Sequence, residues 1–271
     1  MISIEMITKN DDNINISINA ILNQEVKDYE IIIVDSSNEN HYKEYENISG
    51  LKYIHESNSN FLKARLTANN VAEGDYVLLL DSTRIINKDL LTECINLIKT
   101  NDMIIIPEKN VSKSRILQDN SPLTIDSDNI LSNCNPVNGI FLPRFYKKKL
   151  LDESFKKVLM NLNKIEIDHI CSLEDRMLYI EASNLSKKIG VCKNYLTHRE
   201  SNSLLSYIKK YYNYGKCNYY VFSKISNYSF LGNPNVKRRN RRSFTHNNSL
   251  QYIILFSIRS ISFFFGFLLA I

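Results

Sequence analysis

Two unbroken apolar runs each end on a single carboxylate. Glu30-Ile31-Ile32-Ile33-Val34 leads into Asp35-Ser36-Ser37, and Tyr76-Val77-Leu78-Leu79-Leu80 leads into Asp81-Ser82-Thr83. Aliphatic and β-branched runs of this length suit strands buried on both faces of a parallel sheet, where helices rather than water cover the side chains. Ligands of such sheets bind beyond the carboxyl ends of the strands. One acid at each of two strand ends therefore points to a cleft for a sugar, a ribose or a metal-bound phosphate. Taken singly, Asp35 and Asp81 also suit the first position of a turn.

The surrounding pattern repeats strand and helix. Residues 2–7 read as a strand, 13–23 as a helix with Ile14, Ile18, Ile21 and Leu22 on one face, and 30–34 as a strand. A short polar helix at 41–47, a strand at 51–55, a helix at 60–71 and a strand at 76–80 complete a β-α-β-α-β-α-β series. This predicts an α/β fold with a mostly parallel central sheet flanked by helices. Further on, 88–100 reads as a helix and 102–107 as a strand, whereas 108–135, rich in Asn, Ser and Asp, reads as loop with a little local structure. A strand entering a turn is expected at 139–144, a helix at 145–158, a segment 167–172 ahead of Leu173-Glu174-Asp175, and helical spacing at 176–183. A strand at 190–196 ends at Thr197-His198, and a tyrosine-rich amphipathic helix covers 204–222.

The 271 residues carry a formal net charge of +5. Five positive charges fall in Lys237-Arg238-Arg239-Asn240-Arg241-Arg242, directly before the most apolar stretch of the chain. A basic cluster beside an apolar helix is attracted to anionic headgroups, so this order favours a membrane surface over nucleic acid. Cys94, Cys134, Cys171, Cys192 and Cys217 show neither a Cys-x-x-Cys pair nor zinc spacing, and are expected to be free thiols in a reducing compartment. No secretory signal is expected from the N-terminus, which reaches Lys9-Asn10-Asp11-Asp12 before a long apolar run can form.

Residues 250–271 approach the length of a membrane span. Gln251, Arg259, Ser262 and Gly266 fall on one narrow helical stripe, and a central Arg in hydrocarbon costs about 2.5–3.5 kcal/mol. An in-plane helix with that stripe toward the headgroups avoids most of this cost. Packing on the globular domain or on a second subunit is the other arrangement open to it.

The order Ile4-Glu5-Met6-Ile7-Thr8-Lys9-Asn10, Ile21-Leu22-Asn23-Gln24 and Asp28-Tyr29-Glu30-Ile31-Ile32-Ile33-Val34-Asp35-Ser36-Ser37 resembles the opening of the family 2 glycosyltransferases of GT-A fold. Ala64-Arg65 with Asn69, then Ala72-Glu73-Gly74-Asp75-Tyr76 leading into Leu80-Asp81, continue the likeness, which spans about residues 2–225 and is dense in the first 90. It implies a Rossmann-like GT-A domain over 1–225, with a nucleotide-sugar half at 1–107 and an acceptor half at 108–225. A basic linker at 226–249 and a membrane-associated or packing helix at 250–271 would follow. The implied activity is inverting transfer of a sugar from a nucleotide-sugar donor to a glycan or lipid-linked acceptor. The implied place is the cytoplasmic side of a membrane contacted through 237–271, with an oligomer compatible and no nucleic acid involved.

By the same resemblance Thr8 and Asp35 would contact the nucleoside, since hydroxyl and carboxylate accept from a base N–H or a ribose hydroxyl. Arg65 would lie near the base or diphosphate. The family's Asp-x-Asp metal motif stands here as Asp81-Ser82-Thr83, with the second acid lost. A divalent Mg or Mn held through Asp81 is the implied cofactor, because such ions bind through one or two carboxylates plus phosphates. His198 would be an added ligand, and Arg84 could offset phosphate charge. Glu174-Asp175 resembles the family's acidic pair, with Asp175 the base that deprotonates the acceptor hydroxyl and Glu174 orienting the acceptor or setting the Asp175 environment. A nucleotidyltransferase would need a glycine-rich loop after the first strand, which Thr8-Lys9-Asn10-Asp11-Asp12 lacks. A catalytically degenerate member that binds a nucleotide-sugar or a partner at the membrane is the alternative.

Overall fold

The computed structural model describes residues 1–39, 45, 48, 50–112, 114, 117, 126–137, 141–200, 202–232 and 250–270. Strands β1 (Ile2–Thr8), β2 (Tyr29–Asp35), β3 (Leu51–His55) and β4 (Tyr76–Asp81) lie parallel in one half of a seven-stranded sheet. Its other half holds β6 (Met103–Ile105), β8 (Pro143–Lys147) and β9 (Ile189–Val191), in the spatial order β3-β2-β1-β4-β8-β6-β9. β8 runs antiparallel to β4 and β6. A second sheet joins β5 (Arg84–Ile85), β10 (Leu196–Arg199) and β7 (Glu108–Val111), in the order β5-β10-β7.

The apolar runs become strands because both faces of the sheet are covered. Along β1, Ile4 and Met6 point into the cluster made with α1 (Ile14–Leu22) and α3 (Leu90–Ile98), through Ile14, Ile18, Ile21, Leu90, Leu91 and Ile98. Ile7, Ile32 and Val34 point to the other face, against Ala64 and Ala68 of α2 (Phe61–Val71). The Asn60 side chain caps α2 by accepting from Lys63 N at 2.9 Å. Farther along the sheet, Val77, Leu79 and Tyr146 pack on α5 (Lys148–Met160) and α7 (Glu174–Leu185) through Leu151, Phe155, Met177 and Leu178.

Several expectations need correction. The local structure within 108–135, among the described residues, is β7 and α4 (Ser127–Asn133). Glu-Lys-Asn-Val has no apolar alternation and becomes a strand through its distant partner β10, with Leu196 opposite Glu108. The chain at 145–147 is strand rather than helix, since β8 inserts between β4 and β6. Residues 167–169 belong to α6 (Lys164–His169), whose capping box pairs Asn163 with Glu166. The strand expected at 190–196 divides into β9 and β10, which serve different sheets. The helix expected at 41–47 lies outside the described residues except for Tyr45, as do residues 139–140 of the expected strand at 139–144 and the Lys237–Arg242 cluster. All five cysteines are free thiols.

The C-terminal half ends in α8 (Leu204–Lys224), α9 (Ser229–Gly232) and α10 (Leu250–Leu268). α10 packs along α8, and its small-residue stripe faces inward. A Cβ on Gly266 would stand 1.9 Å from the Tyr212 carbonyl oxygen, and one on Gly215 would stand 2.0 Å from that of Phe263. Ser262 is buried in the contact and the Arg259 guanidinium lies 5.4 Å from the Tyr211 ring. The expected in-plane orientation, with this stripe toward headgroups, is therefore reversed at Arg259, Ser262 and Gly266. Residues without bulk let two helix backbones come close, so the stripe goes to the helix contact. Among the described residues no helix is long and apolar enough to cross a membrane.

Candidate active site

Sheet register brings the strand-end residues into line. Thr8 pairs with Asp35 across β1 and β2, and Ile7 pairs with Asp81 across β1 and β4. The Thr8 hydroxyl is buried without a hydrogen-bond partner. Asp35 is fully buried and already engaged: it accepts from Ser37 N at 2.9 Å, Ser37 Oγ at 2.5 Å and Tyr53 OH at 2.8 Å. These bonds hold the turn after β2 and fix the carboxylate where a nucleoside contact was expected.

Asp81 is gripped from two sides. Arg65, buried on α2, donates through one terminal nitrogen to the Leu80 carbonyl at 2.6 Å and through the other to Asp81. Arg84, on β5, pairs with the other Asp81 oxygen and donates through Nε to Glu108 at 3.0 Å. Glu108 also accepts from Arg144 of β8, whose terminal nitrogen stands 3.9 Å from Asp175. Burial lowers the Arg65 pKa to about 10, against the pull of Glu174 and Glu5, so Arg65 stays charged at neutral pH. Burial opposes ionisation of Glu108 too, but Arg144 and Arg84 outweigh it and hold that carboxyl far below the usual range.

The acidic pair opens α7. Leu173, just before it, adopts a left-handed conformation with φ 76°, strained for a bulky side chain and typical of functional corners. Arg176 donates to the Pro136 and Val137 carbonyls, and Tyr179 OH donates to Cys134 O at 2.5 Å, fixing this first turn to the 134–137 segment. Glu174 is buried, and desolvation followed by the Asp175 charge pushes its pKa up to about 7. Asp175 is partly open to solvent. At the positive end of the helix dipole the two acids are held in different settings, one dry and one wet.

His198 sits on β10 directly across from Arg84, with Nδ1 3.1 Å from Asn110 Oδ1. Burial, then the Arg84 charge, takes its pKa down to about 3, which keeps the ring neutral. Arg199 crosses the same rim: it pairs with Asp11 at 2.8 Å and donates to the Ser82 carbonyl at 2.9 Å. The donor set does not fit the expected divalent cation. Thr83 replaces the second acid, both Asp81 oxygens are satisfied by guanidinium groups, and among the described residues no group of three His, Cys, Asp or Glu converges.

The structure thus gathers Arg65, Asp81, Arg84 and Asp175 into one chain of contacts, sets Glu174 against Asp175, and attaches His198 through Arg84. Thr8 and Asp35 lie along the same edge, outside that chain. Sequence reading missed Glu108, Arg144, Asp11 and Arg199. Their partners lie 24 to 188 residues away, and no local spacing signals such pairs; an arginine directly after His198 was the nearest hint.

The chain is 27% identical over 197 residues to the poly(ribitol-phosphate) beta-N-acetylglucosaminyltransferase TarP of Staphylococcus aureus (strain N315), covering 69% of this chain and 58% of TarP. Solved structures of S. aureus TarS are also similar. TarS 1–349 aligns with TM-score 0.57 at 18% identity, covering 96% of this chain and 80% of that one. Its complex with UDP-GlcNAc aligns with TM-score 0.55 at 21% identity, covering 96% and 81%. A longer TarS chain is covered to 40%, so this chain spans well under two thirds of TarP and of that longer TarS. At these identities the structural likeness establishes the GT-A fold. The family model described as glycosyl transferase family 2 matches residues 3–166, more than half of the 271, taking in both strand-end acids and the arginines around Asp81, and the chain belongs to that family.

Proposed function

We propose that this protein transfers a sugar from a nucleotide-diphosphate donor to a glycan hydroxyl with inversion, Asp175 acting as the base. The observation that carries this reading is the contact chain from Asp81 through Arg84, Glu108 and Arg144 to Asp175. It sets a solvent-reachable carboxylate opposite a cationic strand end, the two charges an inverting displacement needs. The acceptor oxygen attacks the anomeric carbon as the bond from that carbon to the diphosphate oxygen breaks. The acceptor proton passes to Asp175, and negative charge accumulates on the departing diphosphate. Arg84 and Arg65 supply fixed positive charge at that end, which offsets the charge developing on the diphosphate. Glu174, whose pKa burial and the Asp175 charge push up to about 7, is thereby biased toward its neutral form beside the base. The unpartnered Thr8 hydroxyl and Asp35 border the nucleoside position.

The relatives narrow the class. TarP is named for transfer of N-acetylglucosamine to poly(ribitol-phosphate), and TarS 1–349 was solved with UDP-GlcNAc. UDP-N-acetylglucosamine and a polyol-phosphate hydroxyl are accordingly the first donor and acceptor to try. Transfer measured by nucleotide release, with donor binding measured by calorimetry, tests the reading. Asp175→Asn should keep donor affinity within about twofold while transfer falls at least about a hundredfold. Undiminished transfer by that variant overturns the role of Asp175. Donor binding without transfer to any hydroxyl acceptor favours the degenerate alternative, for which the saturation of Asp81 by arginines speaks.

A further inference from the structure

The outer face of α10 is apolar where a solvent-facing helix would be polar. With Arg259, Ser262 and Gly266 turned toward α8, the exposed residues include Ile254, Ile261, Phe264, Phe265 and Leu268, recurring at helical spacing, with Ser257 and Ser260 the small polar residues exposed among them. Phe264 and Phe265 are 56% and 54% exposed, and Leu205 on the neighbouring α8 is 74% exposed. Between the helices runs an open groove of about 580 Å³ lined by Leu205, Ile208, Tyr212, Ile261 and Phe265. Lys209 lines the same groove and Lys216 lies over the Tyr212 ring, so cations border the apolar surface. A contiguous exposed patch of this kind marks an interaction site.

Charge identifies what covers it. Residues 1–200 hold all 29 Asp and Glu of the chain, and residues 201–271 hold ten Lys and Arg with no acid. Five of those ten form the cluster at 237–242 that leads into α10. Two copies of the chain meeting through this face would oppose two acid-free cationic surfaces, which repel. An anionic lipid surface offers the opposite charge together with an apolar interior.

We infer that the α8–α10 hairpin docks the protein in the plane of an anionic membrane surface, through Ile261, Phe264, Phe265 and Leu205 in the acyl boundary and Lys209 and Lys216 at the headgroups, with the positive charge carried by the sequence 237–242 adding to the attraction. An apolar face combined with a basic segment supplies the two contributions that stable peripheral binding requires. The inner face of α8 meets the catalytic region: Cys217 Sγ lies 3.7 Å from the Ser172 carbonyl oxygen, three residues before Asp175. Docking through the outer face thus holds the acidic pair about one helix layer from the bilayer, roughly 10 Å.

The test uses the full chain in co-sedimentation with vesicles of phosphatidylcholine alone or mixed with phosphatidylglycerol. Binding should be at least about tenfold stronger to the anionic vesicles and weaken with added salt. It should fall about tenfold or more in a Phe264→Ser, Phe265→Ser variant and in an Arg238→Gln, Arg239→Gln, Arg241→Gln, Arg242→Gln variant. Unchanged circular dichroism and nucleotide binding in both variants separate lost docking from lost folding. Equal binding to the two vesicle types, or none, overturns the inference. So does a concentration-dependent dimer in sedimentation velocity that the phenylalanine variant abolishes. The readout is lipid binding, so it stands or falls apart from the proposed sugar transfer.

Discussion

Replacing Glu5 with leucine should remove a pH dependence of stability that originates in the buried floor of the site. Glu5 lies at the middle of β1, fully buried, with neither carboxylate oxygen hydrogen-bonded. Period-two alternation sends Ile4 and Met6 to one face and Glu5 with Ile7 to the other, where Arg65 donates to the Glu5 backbone carbonyl at 3.4 Å. Desolvation raises the Glu5 pKa from 4.5 to about 8, with Arg65 and Lys148 pulling the other way. The folded pKa is above the unfolded one, so the folded state binds the extra proton. Stability from this group is fully present below about pH 4.5 and is lost as pH rises through about 8.

At about 1.4 kcal/mol per pH unit, the penalty at pH 7 is roughly 3 kcal/mol, accumulated over about two and a half units. Glu5→Leu removes it. Urea unfolding of both proteins at intervals between about pH 5.5 and 7 should show the advantage of the variant growing by about 1.4 kcal/mol per unit, whatever constant offset the change of side chain brings. Parallel stability curves over that window would refute a protonated, unpaired Glu5.

Three further outcomes are expected. UDP binding followed by calorimetry should be unchanged by EDTA, while Arg84→Gln weakens it about tenfold or more; a tenfold gain in affinity on adding Mn²⁺ would contradict the donor-set argument. His198→Asn should leave the shape of the rate–pH profile between about pH 5 and 8 unaltered, because the native ring is already neutral there, and loss of an inflection near 6.5 would show that it titrates. Gly266→Ala places a methyl 1.9 Å from the Tyr212 carbonyl oxygen, so α10 should detach at a cost of roughly 1–3 kcal/mol. Faster amide exchange across 250–268 with an unchanged sheet reports that detachment, and wild-type exchange rates would deny the close helix contact.

Legibility followed the range of the interactions. The strands at 2–7, 30–34, 51–55 and 76–80 and the helices at 13–23, 60–71 and 204–222 were visible because burial on one or two faces writes itself into local periodicity. β7 and β5 were invisible because short polar segments become strands when a distant partner supplies hydrogen bonds, as β10 does for both. Of the two arrangements open to the α10 stripe, toward headgroups or against the globular domain, the structure has the second at Arg259, Ser262 and Gly266. Periodicity defines the faces of a helix, but which face is buried depends on what packs against it, here the backbone around Gly215.

From sequence alone came the α/β class, the two strand-end acids, the acidic pair and the likeness to family 2, since each is carried by residues adjacent or regularly spaced in the chain. Tertiary structure alone decided that Asp81 is saturated by Arg65 and Arg84, that Arg84 and Arg144 are joined through Glu108, and that His198 answers to Arg84 and Asn110. Those pairings cross from strand to helix and from one sheet to the other. Charge complementarity of that kind acts through space, and it leaves no period in the order of residues.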